Sequence, residues 1–148
     1  MKKKWLAPMM TFALACSTTA PSVDVSGLWD WTATFTSTQL SITCVTTGTT
    51  ILLSQSRDGG RVTGMRAGPT ATCEGGPDTL EDRLGFPANV LNAQVSGNMI
   101  TMEIDFCDYE GTVTIGTANG DVMSGTLECA GGLAGESGFF TGIWKASR

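Results

Sequence analysis

The chain has 148 residues, 16% charged residues and a formal net charge of −5, a length that suits a single domain. Its abundance of Gly, Ser and Thr is typical of many short strands joined by tight turns. The sequence contains no histidine, which excludes Ser-His-Asp and Cys-His catalysis, His-ligated zinc and histidine pH switches.

The first 16 residues have the layout of an export signal. Three lysines at positions 2–4 precede an apolar run over residues 5–15, which is too short to span a bilayer permanently. The sequence Ala13-Leu14-Ala15-Cys16 resembles the lipobox of bacterial lipoproteins. The resemblance implies cleavage before Cys16, a diacylglyceryl thioether on its sulfur and an acylated amino terminus. The alternative is an ordinary signal peptidase that reads Ala13 and Ala15 and releases a soluble protein.

Three segments follow from this interpretation: a signal peptide over 1–15, a lipidated tether over 16–24 and a folded domain over 25–148. Removal of the signal peptide leaves six basic residues against 14 acidic ones. Such a surface repels nucleic acid and anionic headgroups, so the lipid is expected to hold the protein at a membrane. Because Ser17 follows Cys16, the sorting rule of lipoproteins implies the periplasmic face of the outer membrane if the host has two membranes. Without lipidation, the protein is expected to be secreted.

Four cysteines remain besides Cys16, and an even number in an exported chain predicts two disulfides. Of the three possible pairings, we prefer Cys44–Cys73 and Cys107–Cys129, because each joins neighbouring strands or their loops. The alternative is a metal site, but the sequence has no C-x-x-C spacing and no histidine. We therefore predict no metal and no cofactor.

The first predicted strand spans residues 25–35. Small or apolar residues occupy alternate positions, and this period of two indicates a strand with one buried face. The inward positions are Gly27, Trp29, Trp31, Ala33 and Phe35. Two tryptophans on one inward face suggest the floor of a closed barrel.

Further strands are predicted along the rest of the chain. They span residues 51–55, 61–67, 90–97, 99–106, 109–116, 122–129 and 139–146, with short ones near 40–44 and 70–74. Phe106 and Ile115 are predicted to point inward, and Asn119-Gly120 to form a type I′ turn. Residues 75–89 are predicted to form a flap at one barrel mouth, with a short helical turn near residues 78–84.

An internal repeat consists of an apolar residue, then Ser or Thr, then Gly. Its five copies lie at residues 25–27, 62–64, 95–97, 123–125 and 140–142. A glycine that faces inward allows a strand to bend sharply, as strands must when a sheet coils into a barrel. The predicted fold is therefore all-β, a single antiparallel up-and-down barrel of eight or nine strands.

The last copy continues as Gly142-Ile143-Trp144, which matches Gly27-Leu28-Trp29 in the first. A Gly-x-Trp near the start of the first strand and a basic residue near the end of the last strand resemble the lipocalins and the wider calycin group. The resemblance implies that Trp29 closes one barrel end, with Lys145 or Arg148 packed across it. Strand parity favours Arg148. The avidin branch of the group has a further N-x-x-G-S pattern, which is absent here, so a biotin site is not supported.

Two groups of residues are candidate sites. Five aromatic residues are predicted to line an apolar ligand cavity, and the alternative is a core filled by these same side chains. They are Trp29, Trp31, Phe35, Phe140 and Trp144. An acidic cluster around Cys107 has the composition of a calcium site or a carboxylate pair, but its spacing favours a solvated strand face. Its members are Glu103, Asp105, Asp108 and Glu110.

We predict no catalytic residue, because no base is present to activate a serine or threonine. The predicted function is that of a lipid-anchored, non-catalytic cell-envelope protein that binds a small apolar ligand or a protein partner. Two alternatives stay open. One is a protease inhibitor similar to periplasmic inhibitors that have a small lipocalin-like barrel, and the other is a structural envelope accessory with a filled core.

Overall fold

The computed structural model describes residues 23–37, 39–68, 71–75, 87–129 and 140–148. These residues form nine β-strands and no helix. The strands are β1 (Gly27–Ser37), β2 (Ile42–Gln55), β3 (Arg61–Ala67), β4 (Thr72–Glu74), β5 (Ala88–Ser96), β6 (Met99–Ile104), β7 (Cys107–Thr117), β8 (Gly120–Cys129) and β9 (Phe140–Ser147). In this part of the chain there is accordingly no helix of the length and hydropathy needed to cross a membrane.

Several predictions fall outside the described residues. They concern the signal peptide over 1–15, Cys16 with most of its tether, and the helical turn near 78–84 within the proposed flap.

Eight of the strands close into an antiparallel barrel. Neighbours around the ring are β1, β2, β3, β5, β6, β7, β8 and β9, and β9 pairs again with β1. In that closing pair Ala33 lies opposite Trp144, and Phe35 lies opposite Gly142. The predicted up-and-down barrel and the pairing of its first and last strands are confirmed.

Strand β2 is longer than predicted and carries the ninth strand. Its second half pairs with β3, and its first half, at residues 43–45, pairs with β4. The other edge of β2 pairs with β1 over nearly its whole length. The short strand β4 therefore extends the sheet outside the closed ring.

The two ends of the barrel differ in what they carry. At one end, here called the Trp29 end, β1 begins and β9 ends, and the β5–β6 and β7–β8 turns lie there. The opposite end carries the disulfides Cys44–Cys73 and Cys107–Cys129, in the predicted pairing. We call it the disulfide end.

Paired glycines let one tryptophan lie flat against the inside of the sheet. Gly111 lies opposite Gly125, which lies opposite Trp144. A Cβ atom on Gly111 would come within 2.6 Å of the Trp144 ring. The indole Nε1 of Trp144 donates to the carbonyl oxygen of Thr126 at 3.0 Å. Gly111, which lies outside the repeat, thus makes room for a core side chain, whereas a Cβ atom on the repeat glycine Gly125 would meet the backbone of β7.

The prediction that Phe106 points inward was wrong. Strand β6 ends at Ile104, and Phe106 lies in the β6–β7 turn with 80% of its surface exposed. Asp105 and Phe106 both have positive φ, 52° and 67°. Two positive φ values at the centre of a two-residue hairpin loop are typical of a type I′ turn, which matches the twist of the flanking strands. The turn interrupts the alternation that would have buried Phe106.

Two predictions at the β7–β8 hairpin were also wrong. Ile115 is 42% exposed, because the register of the hairpin shifts between Thr114 and Thr117. Within Asn119-Gly120, Gly120 alone has a positive φ, at 89°. This geometry fits a type I turn followed by a left-handed glycine bulge rather than a type I′ turn.

Candidate functional site

The Trp29 end is closed by an arginine stacked on a tryptophan. The guanidinium carbon of Arg148 lies 4.2 Å from the centre of the Trp29 ring, and Trp29 is fully buried. The Trp29 indole Nε1 donates to the Val25 carbonyl oxygen at 2.9 Å. Arg148 also donates to the Ser26 carbonyl oxygen and pairs with Asp121 at 2.9 Å. The expected contact across Trp29 is present, and Arg148 rather than the outward-facing Lys145 makes it.

Gly27 is required beside this stack. Its φ is +132°, and a Cβ atom there would lie 2.9 Å from Arg148 Nη1. A larger residue would push the guanidinium off the tryptophan.

The predicted ligand-binding aromatics are all buried inside the barrel, but they do not form one cluster. Trp31 and Trp144 stack with ring centres 4.8 Å apart at 16°, and Tyr109 meets Trp31 edge-on at 5.3 Å. Phe35 and Phe140 form a separate edge-on pair at 5.9 Å. Trp29 lies under Arg148 at the Trp29 end. All five predicted residues are at most 5% exposed.

An ion pair between a buried arginine and a half-buried aspartate lies toward the disulfide end, and the sequence did not predict it. Arg66 on β3 is 5% exposed and forms a salt bridge with Asp105 in the β6–β7 turn. Asp105 therefore does not lie on the polar strand face where the acidic cluster had placed it. The alternation of β3 could have identified Arg66, because Arg66 lies on the same inward face of the strand as Val62 and Gly64.

Burial changes the pKa values of two side chains in this region, Asp105 and Tyr109. Desolvation raises the pKa of Asp105, and the neighbouring Arg66 partly offsets that effect. Desolvation also raises the pKa of Tyr109 to about 12, so its phenol stays neutral at physiological pH. The group consists of a neutral hydroxyl beside an ion pair.

Within the part of the chain that the structure describes, two buried polar atoms have no hydrogen-bond partner: the indole Nε1 of Trp31 and the Oγ1 of Thr49. These residues lie directly opposite each other on β1 and β2, and both face inward. Buried polar groups in folded proteins are nearly always paired, with protein, water or ligand. The two atoms thus mark an interior position at which two polar groups lack a partner among the described residues.

The other members of the acidic cluster lie on the outer face. Glu103 is opposite Asp108, and Asp108 is opposite Glu128, so that three carboxylates form one row across β6, β7 and β8. The row lines a groove of about 470 Å³ together with Glu110 and Thr126. Among the described residues, no group of three acidic, cysteine or histidine side chains is arranged to hold a metal ion.

Comparison with known proteins finds no matching family model, no matching curated protein and no matching solved structure.

Proposed function

We propose that this protein is a lipid-anchored, non-catalytic protein of the cell envelope that acts by binding a protein partner through its outer surface. Support for export comes from the basic and apolar leader, and from two disulfides, which persist mainly in oxidising compartments. Support for the anchor comes from the sequence Ala13-Leu14-Ala15-Cys16.

The proposed anchor would lie close to the barrel. The amide of Val23, the first described residue, donates to the Gly97 carbonyl oxygen at the Trp29 end. Residues 16–22 connect Cys16 to this point, and seven extended residues span at most about 25 Å. The Trp29 end would thus stay near the membrane.

Binding through the outer surface is favoured by one observation, the mutual packing of the interior aromatics. A ligand at the centre of the barrel would have to separate the Trp31–Trp144 stack, which lies at 4.8 Å. Stacked aromatic pairs contribute about 0.5–1.5 kcal/mol beyond their burial, so this displacement is unfavourable. A barrel filled by its own side chains offers its outer face and its loops to a partner.

A second candidate function is the binding of a small molecule inside the barrel. The observation that favours it is the pair of unpartnered atoms, Trp31 Nε1 and Thr49 Oγ1. A ligand with a hydrogen-bond acceptor and an otherwise apolar body would satisfy both atoms.

Metabolic labelling with palmitate in the host tests the anchor. We expect label on the wild-type chain and none on Cys16→Ala. A wild-type chain that is exported but carries no label would contradict the anchor.

Native mass spectrometry of the protein extracted from its host separates the two binding modes. A mass equal to that of the acylated chain supports binding through the outer surface. An additional bound mass that Thr49→Val abolishes would instead support an interior ligand, because this substitution removes Oγ1 and nearly preserves side-chain volume.

A further inference from the structure

Four large apolar side chains form an exposed row on the outer face of the barrel. Leu28 on β1 lies opposite Leu52 on β2, and Leu52 lies opposite Met65 on β3. Leu91, on the neighbouring strand β5, continues the row two residues beyond the partner of Met65. Their exposed fractions are 59%, 52%, 48% and 51% in that order. We call these four residues the apolar stripe.

The stripe differs from the scattered apolar residues that all protein surfaces carry. Side chains directly opposite on neighbouring strands have Cβ atoms about 5 Å apart, as in Leu28, Leu52 and Met65. Leu91 stands at the diagonal spacing from Met65, roughly 7–8 Å, which is still within reach of long side chains. Outward positions of an antiparallel barrel are normally polar when they face water. A contiguous exposed apolar row marks a surface that contacts another molecule or a membrane.

The charge distribution indicates which of these covers the stripe. Strands β1, β2 and β3 together carry Asp30, Arg61 and the buried Arg66. Strands β6, β7 and β8 carry five acidic residues and no basic residue. The side of the barrel that bears the stripe is therefore repelled less by anionic lipid headgroups than the β6–β8 side is.

The position of the chain terminus points the same way. Leu28 follows Val23 by five residues, and Val23 is hydrogen-bonded at the Trp29 end. The Leu28–Leu52 pair lies at that same end. A short tether from Cys16 would hold the stripe within reach of the bilayer that contains the acyl chains.

We propose that the apolar stripe lies on the surface of the lipid bilayer, an inference that rests on the proposed anchor at Cys16. Acyl chains fix the protein to the membrane but leave its orientation free, and the stripe fixes that orientation. The acidic groove of β6–β8 then faces away from the lipid and is available to a partner.

Two methionines of the same chain provide the test. Met65 is in the stripe and Met99, at the start of β6, is outside it, with exposed fractions of 48% and 38%. An uncovered Met65 should therefore be oxidised by hydrogen peroxide at least as fast as Met99. The acylated protein is placed in dioleoylphosphatidylcholine vesicles, floated on a density gradient, and analysed for both sulfoxides over time. In the floated, membrane-bound protein we expect Met65 to be oxidised more slowly than Met99, the reverse of the order expected from their exposed fractions.

Matched variants show whether the stripe causes the protection. Leu28→Asn together with Leu52→Asn should restore fast oxidation of Met65. Ile143→Asn, at an exposed position on β9 outside the stripe, should leave Met65 protected. The buried Met102 and Met123 report in each variant that the barrel is folded, because their oxidation stays slow.

Each other outcome has a distinct meaning. A floated protein in which Met65 is oxidised at least as fast as Met99 overturns the stripe proposal and leaves the anchor intact. A protein that does not float overturns the anchor and the stripe proposal with it. Protection that disappears below one protein molecule per vesicle identifies a second copy as the cover and also overturns the proposal.

Discussion

Asp105 and Arg66 show how a single buried residue changes the pH dependence of stability. The folded state raises the pKa of Asp105 above the ordinary value of 3.8, mainly through desolvation. The folded protein thus holds this proton more tightly than the unfolded chain does. The contribution of Asp105 to stability is complete below pH 3.8 and is lost as the pH rises through the raised pKa.

The first prediction concerns the pH dependence of the free energy of unfolding. In the wild type, the contribution of Asp105 to this free energy should fall as the pH rises from 3 to 7, and Asp105→Asn should lack that fall. Asp24, Asp58 and Asp121 have lowered pKa values, so their contributions to the free energy of unfolding rise with pH. These contributions are the same in the wild type and in Asp105→Asn. Urea unfolding across this range measures the difference, and Asp30→Asn, at an exposed position opposite uncharged residues, is the control. Equal pH profiles for the wild type and Asp105→Asn would contradict the assignment.

The second prediction concerns the residue that closes the Trp29 end. Arg148→Ala removes the stack on Trp29, the ion pair with Asp121 and a hydrogen bond to Ser26, so it should cost about 1–3 kcal/mol in the free energy of unfolding. Arg148→Lys should recover only part of this loss, because an ammonium group lacks the planar fork.

Lys145→Ala is the matched control for Arg148→Ala, since Lys145 is exposed on the same strand. Its effect should be within about 0.5 kcal/mol of zero. Denaturant unfolding followed by tryptophan fluorescence measures all three variants. Equal losses for Arg148→Ala and Lys145→Ala would contradict a specific role of the stack.

At the scale of elements, the acidic row across three strands is a source of instability. Glu103, Asp108 and Glu128 lie directly opposite one another, and like charges in such positions are unfavourable. This is our third prediction: Glu128→Gln should raise the free energy of unfolding by roughly 0.2–1 kcal/mol at low salt. The gain should shrink in high salt, because salt screens exposed charges.

Glu74→Gln on β4 is the control for this third prediction, because Glu74 lies opposite the uncharged Thr43. Thermal unfolding at two salt concentrations gives the comparison. A loss of stability in Glu128→Gln would indicate that Glu128 makes a favourable contact that outweighs the repulsion.

The elements also show what the sequence could predict. The period of two in residues 27–35 was sufficient for the first strand, because a strand depends on local pattern. Closure of the barrel is not local, and it was predicted from the inward glycines and the matching Gly-x-Trp sequences of the first and last strands. The turn types were predicted poorly: the type I′ turn was expected at Asn119-Gly120, but it occurs at Asp105-Phe106, which contains no glycine. The partner of Arg66 was not predicted either. It lies 39 residues away in the chain and becomes a neighbour only when the barrel closes.

At the scale of the whole molecule, the two barrel ends are stabilised by different means. One end has the Trp29–Arg148 stack and the other has both disulfides. The stacked Trp31 and Trp144 lie in the interior between them. Only part of the candidate site at Trp31 and Thr49 could be predicted. The sequence indicated that Trp31 points inward. It could not indicate that the two polar atoms lack a partner, because that depends on packing from several strands.

The fourth prediction uses this division. The Cys107–Cys129 bridge closes a loop with a sequence separation of 22, and the double variant Cys107→Ala with Cys129→Ala should lower the free energy of unfolding by roughly 2–4 kcal/mol.

Because the bridge lies at the disulfide end, its removal should increase local opening at that end first. Amide hydrogen exchange should accelerate at Glu128, next to the bridge, while amides of Trp29 at the opposite end stay protected. Mass spectrometry of peptic fragments measures both in one experiment, with Thr114→Ala on the outer face of β7 as the control. Equal acceleration at the two ends would mean that the barrel opens only as a single unit.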